Sequence, residues 1–167
     1  MSINRRKAII SSAALLLSGW GSARVALAAE SPAVAFLDKS NLIYLSPLLA
    51  DGQESTCHGE VWFVHYMGEI FVVTPSDAWR AEAVRRGLRR AAIWIGEFGA
   101  WKKAENRYRS AAHLTIEGRI EVDAAVHDEI LGRFGVKYVK EWGTWGPRFR
   151  TELADGSRVM LRYQVVS

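Results

Sequence analysis

From residue 41 onward the chain is built of short apolar runs, one of which (Ala111 to Val122) alternates apolar with polar residues, interrupted by two stretches that read as helices. Asn41-Leu-Ile-Tyr-Leu-Ser46 is rich in strand formers, and Asp51-Gly52 is a hairpin signal after it. Glu60-Val-Trp-Phe-Val-His-Tyr66 predicts a strand. Met67-Gly68 gives a tight turn into Glu69-Ile-Phe-Val-Val-Thr74. Residues 59–74 therefore read as one hairpin, with Val61 and Phe63 on one face and Trp62 and Val64 on the other. Arg90 to Gly96, Ala111 to Val122 and Ser157 to Val166 read as three more strands.

Pro75-Ser76-Asp77 ends the hairpin and predicts a helix from Ala78 to Arg86, with Ser76 or Asp77 as N-cap and Gly87 just past its end. Asp123 predicts a cap for a helix from Ala124 to Phe134, with Val126, Ile130, Leu131 and Phe134 on one stripe. Residues 136–153 read as one or two short helical turns, and 97–110 as a polar loop studded with aromatics. Six short strands joined mostly by hairpins, with two or three helices, predict a mainly β (α+β) fold: a closed antiparallel barrel with helices outside it. Helices and strands do not alternate regularly, which argues against a parallel sheet.

Residues 1–28 read as an export signal, leaving 29–167 as one domain. Asn4-Arg5-Arg6-Lys7 is a basic start, Ala8 to Leu17 an apolar stretch too short for a membrane anchor, and Ala26-Leu27-Ala28 a cleavage site. The Arg5-Arg6 pair resembles a twin-arginine signal, the alternative being an ordinary secretory one. Either predicts a periplasmic or extracellular protein. The whole chain has 22 basic and 18 acidic residues, and four of the basic ones (Arg5, Arg6, Lys7 and Arg24) lie in the leader. The remainder is neutral, with no electrostatic footprint for a nucleic acid. The single cysteine, Cys57, excludes an internal disulfide.

No serine–histidine–aspartate order, nucleophile elbow or glycine-rich phosphate loop is visible. Cys57 and His58 are adjacent and would point to opposite faces of a strand, and the other histidines are scattered, so no metal site is expected. Arg85, Arg86, Arg89 and Arg90 form a basic cluster that reads either as an anion site or as a solvated helix end. Trp142 to Arg150 is dense in aromatics, glycines and arginines, and reads either as a wall over a planar ring or as a helix or dimer contact.

Gly59-Glu60-Val61-Trp62-Phe63-Val64…Gly68-Glu69-Ile70-Phe71-Val72-Val73-Thr74-Pro75-Ser76-Asp77-Ala78-Trp79-Arg80 resembles the FMN-binding split-barrel superfamily, the pyridoxamine 5′-phosphate oxidase-like group. The likeness continues through Ala91–Gly96 and Asp155-Gly156-Ser157-Arg158-Val159, and covers roughly residues 40–166. The resemblance implies a six-stranded antiparallel split barrel, a homodimer, and FMN ahead of a deazaflavin or haem. It places the flavin phosphate near Thr74, Ser76 and Arg80, with Trp79 and Arg85 beside them, and the ring edge near Ser55, Thr56 and His58. The implied activity is hydride transfer between flavin and a small planar acceptor, the cofactor carrying the hard chemistry. The alternative is a non-catalytic flavin- or haem-binding module of the same fold.

Overall fold

The computed structural model describes residues 31–167, so residues 1–28, expected to be an export signal, lie outside the described residues. One antiparallel sheet contains β1 (Ile43–Pro47), β2 (Gly59–Val61), β3 (Val64–Tyr66), β4 (Glu69–Pro75), β5 (Arg90–Ile95), β6 (His113–Glu121) and β7 (Arg158–Val165), in the order β2-β1-β5-β6-β7-β4-β3. Three helices accompany it: α1 (Trp79–Arg85), α2 (Ala124–Lys137) and α3 (Val139–Ala154).

The seventh strand arises because the run expected over 60–66 is broken at Trp62-Phe63. Its first half pairs with β1 and its second half with β4, at opposite edges of the sheet. Laid flat, seven strands at about 4.8 Å spacing would separate those edges by roughly 29 Å. The three residue steps from Val61 to Val64 reach at most about 11 Å. The sheet must therefore curl until its edges nearly meet, and it forms a split barrel. The hairpin turns at Met67-Gly68 as expected, both residues having positive φ (51° and 76°), which matches the twist of the flanking strands.

Period-two alternation fills the barrel and clothes its outside. Ile43, Leu45, Phe63, Ile70, Val72, Ile93, Ile116, Leu161 and Tyr163 pack within it. Val64, Phe71, Val73 and Met160 face outward against Ile130, Leu131 and Phe134 of α2 and Phe149 of α3. Tyr44 and Trp94 face outward elsewhere and are covered by Ala104 and Tyr108 of the 97–110 loop. Val61 and Phe63 fall in the inner group, Trp62 and Val64 in the outer one. Gly118 is matched in register with Tyr163, and a Cβ there would sit 2.4 Å from that buried ring.

Three local expectations are corrected. Ser76 and Asp77 do not cap α1. Ala78 is the N-cap with no side-chain bond, because the Ser76 N–H donates to the Ser157 carbonyl (2.9 Å) and keeps the chain at the sheet margin for two more residues. Residues 54–58 form no strand beyond a single bridge at Glu54, since the Ser55 hydroxyl accepts from the Cys57 N–H and folds the segment locally. Residues 139–154 form one sixteen-residue helix despite Gly143, Gly146 and Pro147. Gly146 and Gly135 make room for the Trp142 ring between the helices. Asp123 caps α2 as expected, accepting from the Ala125 N–H at 2.8 Å.

Candidate functional site

The open seam of the barrel and the helix laid beside it leave a cavity of about 480 Å³. Its walls come from the broken strand (Glu60, Val61, Trp62), the end of β4 (Val73, Pro75), α1 (Arg80), α3 (Trp145, Phe149) and the start of β7 (Arg158). Each contribution has a local cause. Trp62 lies at the break, where its ring is freed from the ladder and stacks on Tyr138 (centroids 4.4 Å apart, 9° between planes). Trp145 meets Trp62 edge-on at 6.1 Å, so the two rings form a corner, not a pair of parallel plates.

Arg80 stands one residue into α1 and leans back toward the strand end. Its Nη1 donates to the Thr74 hydroxyl at 3.1 Å, and Thr74 itself is fully buried. Its Nε is buried with no hydrogen-bond partner. Its other arm lies where a Cβ on Gly59 would be only 3.0 Å from Nη2, so the absence of a side chain at Gly59 admits the guanidinium. Among the described residues no carboxylate lies within salt-bridge distance of Arg80. Arg158, the other cation of the cavity, is ion-paired with Glu152 and sits 5.0 Å over the Phe149 ring. The Glu60 carboxylate accepts from the Trp101 N–H at 2.9 Å and ties the 97–110 loop to the rim. Burial raises the pKa of Tyr163, and the positive charge of Arg80 opposes that rise.

The site residues expected from sequence separate into three groups. Thr74 and Arg80 touch each other at the cavity. Ser76 contributes only its carbonyl, which accepts from Arg85 Nη1 at 2.5 Å, and Arg85 also pairs with Glu82 at 3.7 Å. Trp79 lies outside with Arg86 stacked over it at 5.4 Å, and Arg86 in turn pairs with Glu82 at 2.7 Å. None of Arg85, Arg86, Arg89 and Arg90 lines the cavity. Ser55 is buried with its hydroxyl bonded locally, Thr56 is exposed, and His58 packs against Trp101 near Glu54. Gly59, Glu60 and Trp62, and the Trp145 and Phe149 rings of α3, complete the site. Of these, only Trp145 and Phe149 fell within a segment singled out for a possible wall.

A flat aromatic corner beside an unpaired, partly desolvated guanidinium suits a planar ligand carrying an anionic group. None of the described residues lining the cavity is a histidine, cysteine or methionine, so the cavity offers no usual axial ligand for haem iron. Among the described residues no group of three or more metal-ligating side chains occurs, and no helix is long and apolar enough to cross a membrane.

No family model matches the chain, and no curated protein matches it. Solved structures do. A candidate pyridoxamine 5′-phosphate oxidase from Listeria innocua is 13% identical with a TM-score of 0.52, over 80% of this chain and 90% of that one. HutZ, the haem storage protein from Vibrio cholerae, is 16% identical with a TM-score of 0.52, over 80% and 87%. A candidate 5-nitroimidazole antibiotic resistance protein from Bacteroides thetaiotaomicron is 10% identical with a TM-score of 0.55, over 83% and 81%. At these identities the likeness is one of fold: the split barrel is shared.

Proposed function

We propose that this protein is an exported split-barrel flavoprotein that binds FMN in the cavity beside Arg80 and exchanges hydride between the flavin and a small planar acceptor. The observation that carries this reading is Arg80: a guanidinium with a buried, unpartnered Nε, no carboxylate partner among the described residues, and a place in the wall of a 480 Å³ cavity. Removing an arginine from water without a counter-charge is costly, and an anionic ligand group would supply that charge. Arg80 would hold the phosphate with Thr74 fixing its orientation, and the Trp62–Trp145 corner would bear the ring. Tyr138 behind Trp62 keeps that wall flat. When bound, the flavin supplies the redox chemistry, and the chain's own groups orient it and exclude water. Fold neighbours include a candidate oxidase and a haem storage protein, and the lack of a usual axial ligand in the cavity favours the flavin over haem. Homodimerisation and export belong to the same proposal.

The test compares FMN with riboflavin, which lacks the phosphate. Arg80→Ala should weaken FMN binding by about 10- to 150-fold, the value of a charge-assisted contact, and leave riboflavin binding unchanged. Equal losses for both ligands would overturn the phosphate assignment.

A further inference from the structure

A second cavity, of about 290 Å³, shares no lining residue with the first. It lies between the lead-in to β1, strand β3 and the last turns of α2. Leu37, Val64 and Val136 give it apolar walls, and Asp38, His65 and Lys137 give it chemistry. The Lys137 ammonium sits 3.5 Å from the centroid of the Phe63 ring. No carboxylate among the described residues comes within salt-bridge distance of it. Its helix neighbour Arg133, by contrast, is paired with Glu129 at 2.6 Å.

His65 Nδ1 is 2.8 Å from Asp38 Oδ1. A carboxylate only accepts, so the ring nitrogen facing it carries the proton and donates. That leaves Nε2, which is buried and has no partner in the protein. A histidine oriented by a carboxylate and an amine without an ion-pair partner thus line the same open cavity, beside the apolar side chains of Leu37, Val64 and Val136. The flavin reading uses none of them.

We propose that Lys137 is a carbonyl-condensing lysine, which forms a reversible imine with a small, largely apolar aldehyde held in this cavity, the His65–Asp38 pair carrying the proton. The nitrogen lone pair forms the C–N bond, and the carbonyl oxygen takes up a proton as the amine gives one away. The resulting hydroxyl then leaves as water with the remaining N–H proton, and the C=N bond remains. No oxidant or reductant is needed.

Burial over Phe63 pushes the Lys137 pKa down to about 8, and the negative charges of Asp38 and Glu97 restore only part of it. At neutral pH roughly one such amine in ten is uncharged and nucleophilic, some hundreds of times the fraction in an exposed lysine. The titratable and charged groups around the amine are Asp38, Glu97, His65 and Arg133, and the Tyr138 ring lies 5.7 Å from it. Two of them are carboxylates that oppose a free anion, whereas a neutral carbonyl meets no such penalty. The chamber is at the small end of ligand pockets, which limits the aldehyde to a modest size.

The experiment uses the purified protein, benzaldehyde and sodium cyanoborohydride at neutral pH, followed by peptide mass mapping. The expected result is one dominant adduct on Lys137, formed at least about 10-fold faster than on Lys39, Lys102, Lys103 or Lys140. Labelling spread over the lysines according to exposure overturns the proposal. Asp38→Asn lies on the surface and should slow labelling of Lys137 and shift its pH dependence, with Lys140 unaffected. An unchanged rate and pH profile in that variant overturns the proton-carrying role of the pair.

Discussion

The Tyr138 hydroxyl accepts the Phe63 N–H at 2.9 Å and lies 2.9 Å from the carbonyl of the same residue. It also lies 2.9 Å from the Asn41 carbonyl, so its single proton serves one of two acceptors. Phe63 is the residue at which the chain leaves one edge of the barrel for the other, and its backbone has no ladder partner. A tyrosine at the junction of α2 and α3 therefore satisfies the seam.

Tyr138→Phe keeps the ring stack on Trp62 and removes only that hydroxyl. The buried Phe63 N–H then has no acceptor, and stability should fall by about 1–3 kcal/mol in urea denaturation. A loss below a few tenths would mean that water replaces the hydroxyl at the seam.

Gly118→Ala should cost about 3 kcal/mol, because the new methyl meets the Tyr163 ring inside a filled barrel where it cannot move aside. Gly59→Ala meets only the end of the Arg80 side chain. It should change the melting temperature little and weaken FMN binding by displacing the guanidinium. Measuring both variants by thermal denaturation and flavin titration separates the two roles of glycine.

Between pH 8 and 10 the protein should become more stable as pH rises. Lys137 has its folded pKa pushed down to about 8, so over this interval the unfolded chain binds a proton that the folded one has released, and alkali favours folding. Above about pH 10 the sign reverses, since burial raises the pKa of Tyr138 and Tyr163 and only the unfolded state ionises them readily. Lys137→Met should flatten the rise, by about 1 kcal/mol over the window, in denaturation curves taken at successive pH values.

Mature protein recovered from the cell envelope should begin near Ala29 or Glu30. Replacing Arg5 and Arg6 by lysine should block export if the twin-arginine route is used. N-terminal sequencing of the envelope fraction reads both outcomes, and unchanged export assigns the general secretory route.

The strands were legible as short runs of apolar strand formers between turn residues, and both faces of those runs are packed: Ile70 and Val72 inward, Phe71 and Val73 outward, and Ala91, Ile93 and Ile95 against Ala92 and Trp94. The break at Trp62-Phe63 was not, since both residues are strand formers and only the global pairing divides them. Helix α3 was obscured by Gly143, Gly146 and Pro147, although Gly146 together with Gly135 of α2 leaves the space that the Trp142 ring of α3 fills. At the site, Thr74 and Arg80 could be named because the resemblance puts a phosphate at a strand-to-helix corner and these two residues stand at that corner in this sequence. The rest of the wall comes from the broken strand at Glu60–Trp62 and from α3 and β7, which no local spacing relates to that corner. The Asp38–His65–Lys137 grouping spans three elements and left no pattern in the chain.

The break at Trp62-Phe63 has a bearing on association. Each edge strand of the sheet, β2 and β3, is only three residues long, and the two are consecutive in the chain. Neither presents the long row of unsatisfied N–H and C=O groups that recruits foreign strands and seeds aggregates. A second copy of this protein would thus meet side chains, not backbone, and any dimer would have to be specified by the chemistry of its surface.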